Sequence, residues 1–139
     1  MFKGQKIYPS ICDGRILDDV TIIGDIVIRV TDQPHGGITS AGLRFENAGK
    51  SICYATDFGN ITEEMKALYG GCDVFVVDAL REEPHPTHAH LDMTLELIKE
   101  IKPLSSLLTH MDKSMDYAHL KRSLPDHVEP AYDGYVREI

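Results

Sequence analysis

The run Asp73–Ala79, reading DVFVVDA, sets the terms for the rest of the chain. Val74, Phe75, Val76 and Val77 send apolar side chains alternately to both sides of an extended backbone, so both faces need cover. Such a strand belongs inside a layered sheet. Downstream the period changes from two to 3.6. Leu91, Thr94/Leu95, Ile98 and Ile101 form one helical stripe within Ala89–Lys102, which Thr87 can cap and Pro103 ends. Ser106–Thr109 then returns to strand. Strand, helix, strand predicts an α/β layer with a helix laid over the sheet.

Upstream, Val20, Ile22, Ile26, Ile28 and Val30 share one parity, which predicts a single half-buried strand bent near Gly24-Asp25. Ala41, Leu43 and Phe45 alternate with polar or small residues. Asn47-Ala48-Gly49-Lys50 makes a turn, and Ser51–Thr56 returns as the partner strand. Asn60 with Glu63 has capping-box spacing and predicts a helix over Ile61–Tyr69, stopped at Gly70-Gly71. Ser114–Leu124 reads as a short helix, and Val128–Ala131 and Tyr135–Ile139 as two strand pieces. Residues 1–19, with Pro9 and Asp13-Gly14, read as a loose entry. No repeat or linker interrupts the pattern, so residues 1–139 are expected to form a single domain with one core.

Composition narrows the function classes. With 42% hydrophobic and 26% charged residues the chain reads as globular. It has no apolar run near the ~20 residues a bilayer span needs, and its start lacks the apolar core of a signal peptide. Cys12, Cys53 and Cys72 are odd in number and contain no CxxC pair, which fits reduced thiols in a cytoplasm. A formal charge of −8 argues against a broad basic surface for nucleic acid, but leaves room for a small phosphorylated substrate in a local cationic pocket.

The chemistry-bearing residues cluster. Four of the seven histidines, His85, His88, His90 and His110, fall between Ala79 and Asp112. Histidine binds metals and moves protons near neutral pH. His35 sits in the glycine-flanked turn QPHGG and reads either as a ligand or as a surface-turn side chain. Asp57 closes the strand ICYATD, where a carboxylate can bridge two cations or simply cap the strand in an Asx turn. His110 closes the strand LLTH, with Asp112 nearby as a carboxylate able to orient a ligating imidazole. His85, His88 and His90 precede a helix start, where negative charge is favoured and a protonated imidazole can donate to a leaving oxygen. A compact HxxHxH zinc site is the weaker reading. Asp78 ends the buried strand and reads as a support for the histidine loop or a partner of Arg81.

In this order, QPHGGITSAGLRFE, ICYATDFG, VFVVDALR, HPTHAHLDMTLELIKEIKP, LLTHMD and EPAYDG resemble the second half of a metallo-β-lactamase-fold hydrolase. The similarity is to the branch containing ribonuclease Z and the phosphonate-pathway cyclic phosphodiesterase. It implies an α/β fold that is half of an αββα sandwich, a mixed sheet with helices on one face. It implies a phosphodiesterase acting on a small phosphodiester or an RNA end. Its cofactors would be two divalent metals, zinc or manganese, in the complete enzyme. His35, Asp57 and His110 would be metal ligands, with Asp57 bridging, and His88 would act on the phosphate and leaving group. Asp78, His85, His90 and Asp112 would support ligands or substrate.

The family's HxHxDH run, which supplies further ligands, does not occur in these 139 residues. The chain therefore reads as incomplete, binding metal weakly or not at all alone, with a complementing N-terminal half or a homodimer as partner. Rival readings are a thioester or lactam hydrolase, and a non-catalytic assembly module with relic ligand residues.

Overall fold

The computed structural model describes residues 14–139. They form one seven-stranded sheet: β1 (Val20–Ile23), β2 (Ile26–His35), β3 (Ile38–Asn47), β4 (Lys50–Ala55), β5 (Val74–Asp78), β6 (Ser105–Thr109) and β7 (Val128–Pro130). The strands lie in sequence order across the sheet. The first three pairings are antiparallel and the last three parallel. Each parallel step is bridged by one helix: α1 (Glu63–Tyr69), α2 (Leu91–Ile101) and α3 (Tyr117–Ser123).

That order explains where the helices lie. Crossovers between parallel strands are right-handed, so strands added always to the same side place every helix on the same face. The core confirms it. Cys53, Ala55, Phe75, Val77, Leu108 and Val128 point from the sheet into one cluster with Met65 and Tyr69 of α1, Leu97, Ile98 and Ile101 of α2, and Leu120 of α3. The sheet is mixed, with its helices on one face, as expected.

Several local expectations need correction. The parity run Val20–Val30 is not one strand but a hairpin, turning at Gly24-Asp25 with Gly24 at φ +59°. Across a two-residue turn, facing residues have opposite parity: Val20 pairs Arg29 and Ile22 pairs Val27. Val20 and Ile22 therefore point away from the face carrying Ile28 and Val30. Helix α1 starts after Thr62, whose Oγ1 accepts from Met65 N at 3.2 Å, so Asn60 is not its cap. Helix α2 has His90 at the cap position with no side-chain bond, so Thr87 is not its cap. Helix α3 begins behind Asp116, which accepts from His119 N, later than Ser114. Tyr135–Ile139 forms no strand; Ile139 instead joins Ile26, Phe45 and Ile52 in lining a cleft on the helix-free side. Of the loose entry, residues 1–13 lie outside the described residues.

Candidate metal and phosphoryl-transfer site

Strand direction assembles the site. β2 is antiparallel to β3, and β3 to β4, so β2 runs the same way as β4, β5 and β6. The carboxyl ends of these four strands share one edge, the edge where sheets of this kind collect ligands. Each end delivers a candidate: His35 closes β2, Asp57 follows β4, Asp78 closes β5, and His110 follows β6. Asp57 and His110 both take left-handed backbone, at φ +62° and +60°. Side chains other than glycine adopt that conformation at a cost, and such outliers gather at functional sites.

The side chains converge. Asp57 Oδ1 lies 3.4 Å from His110 Nε2 and 3.7 Å from His88 Nδ1. His88 lies between His35 and His110, with ring centroids 4.7 and 4.9 Å away. His35 Nδ1 donates to Thr87 O at 2.8 Å, which leaves Nε2 with a free lone pair. His88 Nδ1 donates to Asp78 Oδ2 at 3.1 Å, and the same oxygen accepts from Asp57 N at 3.1 Å. Asp78 thus joins two neighbours of the site, not Arg81. The Arg81 guanidinium instead donates to Glu83 O and Pro84 O, tying down the loop before the histidines.

Asp78 is fully buried, and burial pushes its carboxyl above the usual carboxylate range against the opposing pull of the His88 hydrogen bond. Its second oxygen, Oδ1, has no hydrogen-bond partner. Beneath the site a polar network fixes the Asp57 backbone. Tyr69 Oη donates to Gln33 Oε1 at 2.6 Å, Gln33 Nε2 donates to Thr56 O at 2.7 Å, and Ser40 Oγ donates to Asp57 O at 2.8 Å.

The remaining candidates stand further out. The His85 ring lies tilted against His88 with centroids 5.1 Å apart, and desolvation, then the charge of Arg81, hold its imidazole below the ordinary value. His90, at the start of α2, has a buried Nδ1 without a hydrogen-bond partner and belongs to neither group of candidate ligands. Asp112 is spent locally, accepting from Ser114 N and Oγ, and touches no site imidazole. Sequence reading missed Gly59. Its amide donates to Pro34 O at 2.8 Å, and an added Cβ would meet the Thr87 backbone at 2.9 Å. Its position two residues after Asp57 was the available signal.

The donor set is imidazole nitrogen and carboxylate oxygen, which suits zinc-like or manganese-like divalent ions. Among the described residues, two triads have ligand atoms within 4.8 Å of one another: His35, Asp57 and His88, and Asp78, His88 and His110. A buried carboxylate with one unpartnered oxygen, grouped with His88 and His110, fits a bound cation.

A family model described as a beta-lactamase superfamily domain matches residues 14–111, well over half the chain. The chain belongs to this superfamily. Superfamily structures overlay closely. A diphosphatase of the PhnP family matches with TM-score 0.81 and 28% identity, over 88% of this chain and 47% of that one. The metallo-β-lactamase fold protein YhfI from Bacillus subtilis gives 0.79 at 17% identity, covering 96% and 58%. The short form of human tRNase Z gives 0.68 at 19% identity, covering 86% and 45%. The chain thus spans about half the length of these structures. A curated octanoyltransferase of Porphyromonas gingivalis is 24% identical over 115 residues, 81% of this chain but 22% of that protein, so its named activity is not carried over.

Proposed function

We propose that the chain carries the second half of a metal-dependent phosphodiesterase site, with His35, Asp57 and His110 as metal ligands and His88 as proton donor. The observation behind this reading is the convergence of four strand-end side chains on His88, whose ring Asp78 orients. Two divalent ions, zinc or manganese, would supply Lewis-acid charge for the phosphoryl oxygens when bound. His35 would present Nε2, because Thr87 O holds its Nδ1 proton. His88, with Nδ1 given to Asp78, would present Nε2 to a departing oxygen. The substrate class is a small phosphodiester or an RNA end, in keeping with the diphosphatase and tRNase Z likenesses. Buried, free Cys53 and Cys72 fit a reducing cytoplasm.

The helix-free face of the sheet bears on assembly. By register, Ile23, Ile26, Ile28, Val30, Leu43, Phe45, Ile52, Tyr54, Val74, Val76 and Leu107 all point to it. Ile23 is 60% exposed, Ile26 40% and Tyr54 41%. A contiguous apolar face of this kind marks an interface, and we assign it to a second copy packed sheet on sheet. A sandwich-completing half supplying HxHxDH would use the same face.

Hydrolysis of bis(p-nitrophenyl) phosphate with added Zn²⁺ or Mn²⁺ tests the reading. Activity is expected when a chain supplying HxHxDH is present, and H88A should lower kcat by about 10²–10⁴-fold while metal content holds. Turnover that is indifferent to H88A would overturn His88's role. Lasting inactivity in the complemented, metal-loaded state would favour the assembly module with relic ligands.

A further inference from the structure

We infer that this chain by itself holds one divalent transition-metal ion on Asp78, His88 and His110, a site distinct from the His35–Asp57–His110 set assigned above. The inference shares His110 with that ligand set and gives His88 and Asp78, the proton donor and its support in that reading, a second role as ligands. Three observations meet here. Asp78, His88 and His110 each offer a ligand atom within 4.8 Å of the others. Asp78 is fully buried, yet its Oδ1 makes no hydrogen bond. A buried carboxylate with an unpartnered oxygen is costly, and a cation bound to that carboxylate offsets its charge. Asp78 Oδ2 and His88 Nδ1 stand 3.1 Å apart. Two ligands on a tetrahedral zinc-like ion with bonds of 2.0–2.1 Å are about 3.3 Å apart, so this separation suits a shared ion as well as a shared proton.

Access is open from one side, because the His110 side chain is 42% exposed while that of His88 is 15% exposed. The backbone already fixes the ligands, since Asp78 and Thr109 are paired across the β5–β6 ladder and Thr94 Oγ1 donates to Asp78 O at 2.6 Å. With two imidazoles and one carboxylate, the site selects zinc, cobalt or nickel over magnesium or calcium. Its occupation would remove His88 from proton donation. A chain loaded this way would be parked, with its acid engaged as a ligand until the dinuclear site is completed.

Titration of the metal-free chain with Co²⁺, read by its visible absorption and by calorimetry, tests this. We expect one equivalent to bind, with intensity in the range of a four- or five-coordinate ion. H88Q and D78N should each weaken binding by at least ~100-fold, beyond the 10–100-fold typical of residues that only support a ligand. H35Q should change it less than about threefold. Since D78N removes a buried support and can unfold the chain, H88Q, judged alongside a circular-dichroism melt, carries the decision. Loss of binding in H35Q and D57N with H88Q unaffected would overturn the inference and leave the proposed hydrolytic ligands standing. Failure of the wild-type chain to bind Co²⁺ would also overturn it, without touching the complemented assay. One-equivalent binding in an otherwise inactive complemented enzyme would sink the hydrolase reading alone.

Discussion

Substituting Gly42 by alanine should destabilise the chain severely, although nothing in the local backbone forbids it. Gly42 lies in β3 outside the positive-φ residues, so alanine there should normally gain about 0.5–1 kcal/mol. The structure reverses the sign. The new Cβ would stand 1.7 Å from Tyr69 Oη and 2.9 Å from both Tyr69 Cζ and Gln33 Oε1. Tyr69 is fully buried and has no slack, so its ring must withdraw from the sheet. Overpacking costs about 1–3 kcal/mol, and leaving Gln33 Oε1 buried without its donor about 1–3 more. Set against the normal gain, these costs mean that G42A should lose about 1–5 kcal/mol in urea unfolding. Tyr69→Phe should lose only the hydrogen bond, about 1–2 kcal/mol. Because the phenol oxygen is the atom that clashes, G42A made in Y69F should cost roughly 2 kcal/mol less than in the wild type. A neutral or stabilising G42A, or equal costs in both backgrounds, would refute the reasoning. The network continues through Gln33 to Thr56 O, so G42A should also loosen the segment that holds Asp57.

Gly59→Ala would push on the Thr87 backbone, not on a flexible side chain, and so shift His88; in the complemented phosphodiesterase assay kcat should fall by about 10²-fold with little change in thermal midpoint. Ser51 N and Oγ donate to Asp73 Oδ2 and hold its carboxyl below the usual range. The stability this lends is present above the unfolded-state value of about 3.9 and is lost as pH falls through the lowered folded value. Asp73→Asn should therefore flatten the acid limb of urea midpoints measured from pH 6 to 2; an unchanged limb would remove the assignment. Phe45→Lys places charge on the helix-free face, and light scattering at micromolar concentration should show the wild type as a dimer and the variant as a monomer. A wild-type monomer would defeat the second-copy assignment.

Strand ends were the legible part of the site. A residue that closes a strand is visible in sequence as the last polar side chain after an apolar run, and Asp57, Asp78 and His110 all stand so. Their meeting at one edge needed only the direction of the strands. The β1–β2 hairpin was hidden because parity is blind to a two-residue turn: even-numbered apolar residues continue across it while the face inverts. Thr62 displaced Asn60 as a cap because Thr62 itself stays extended, with Ile61 and Thr62 half-buried outside the helix, a tertiary demand that capping-box spacing does not register. His90 and Asp112 are spaced like site residues. Which histidine of HPTHAH enters the site is decided by the buried Asp78 carboxylate, and no periodicity marks that choice. Gly42 was equally silent, since the reason for it is a tyrosine 27 positions later, the difference between 69 and 42.

The left-handed backbone at Asp57 and His110 has a bearing on how such a chain ages under selection. Each non-glycine residue held there gives up about 1 kcal/mol that glycine would recover. A library selected for heat resistance alone should therefore enrich glycine or asparagine at positions 57 and 110, the very positions where the proposed site places a carboxylate and an imidazole. Under the proposed function, keeping Asp57 and His110 against that drift requires continuing pressure for metal binding, so a descendant released from that pressure should lose these two side chains early while its sheet grows more robust.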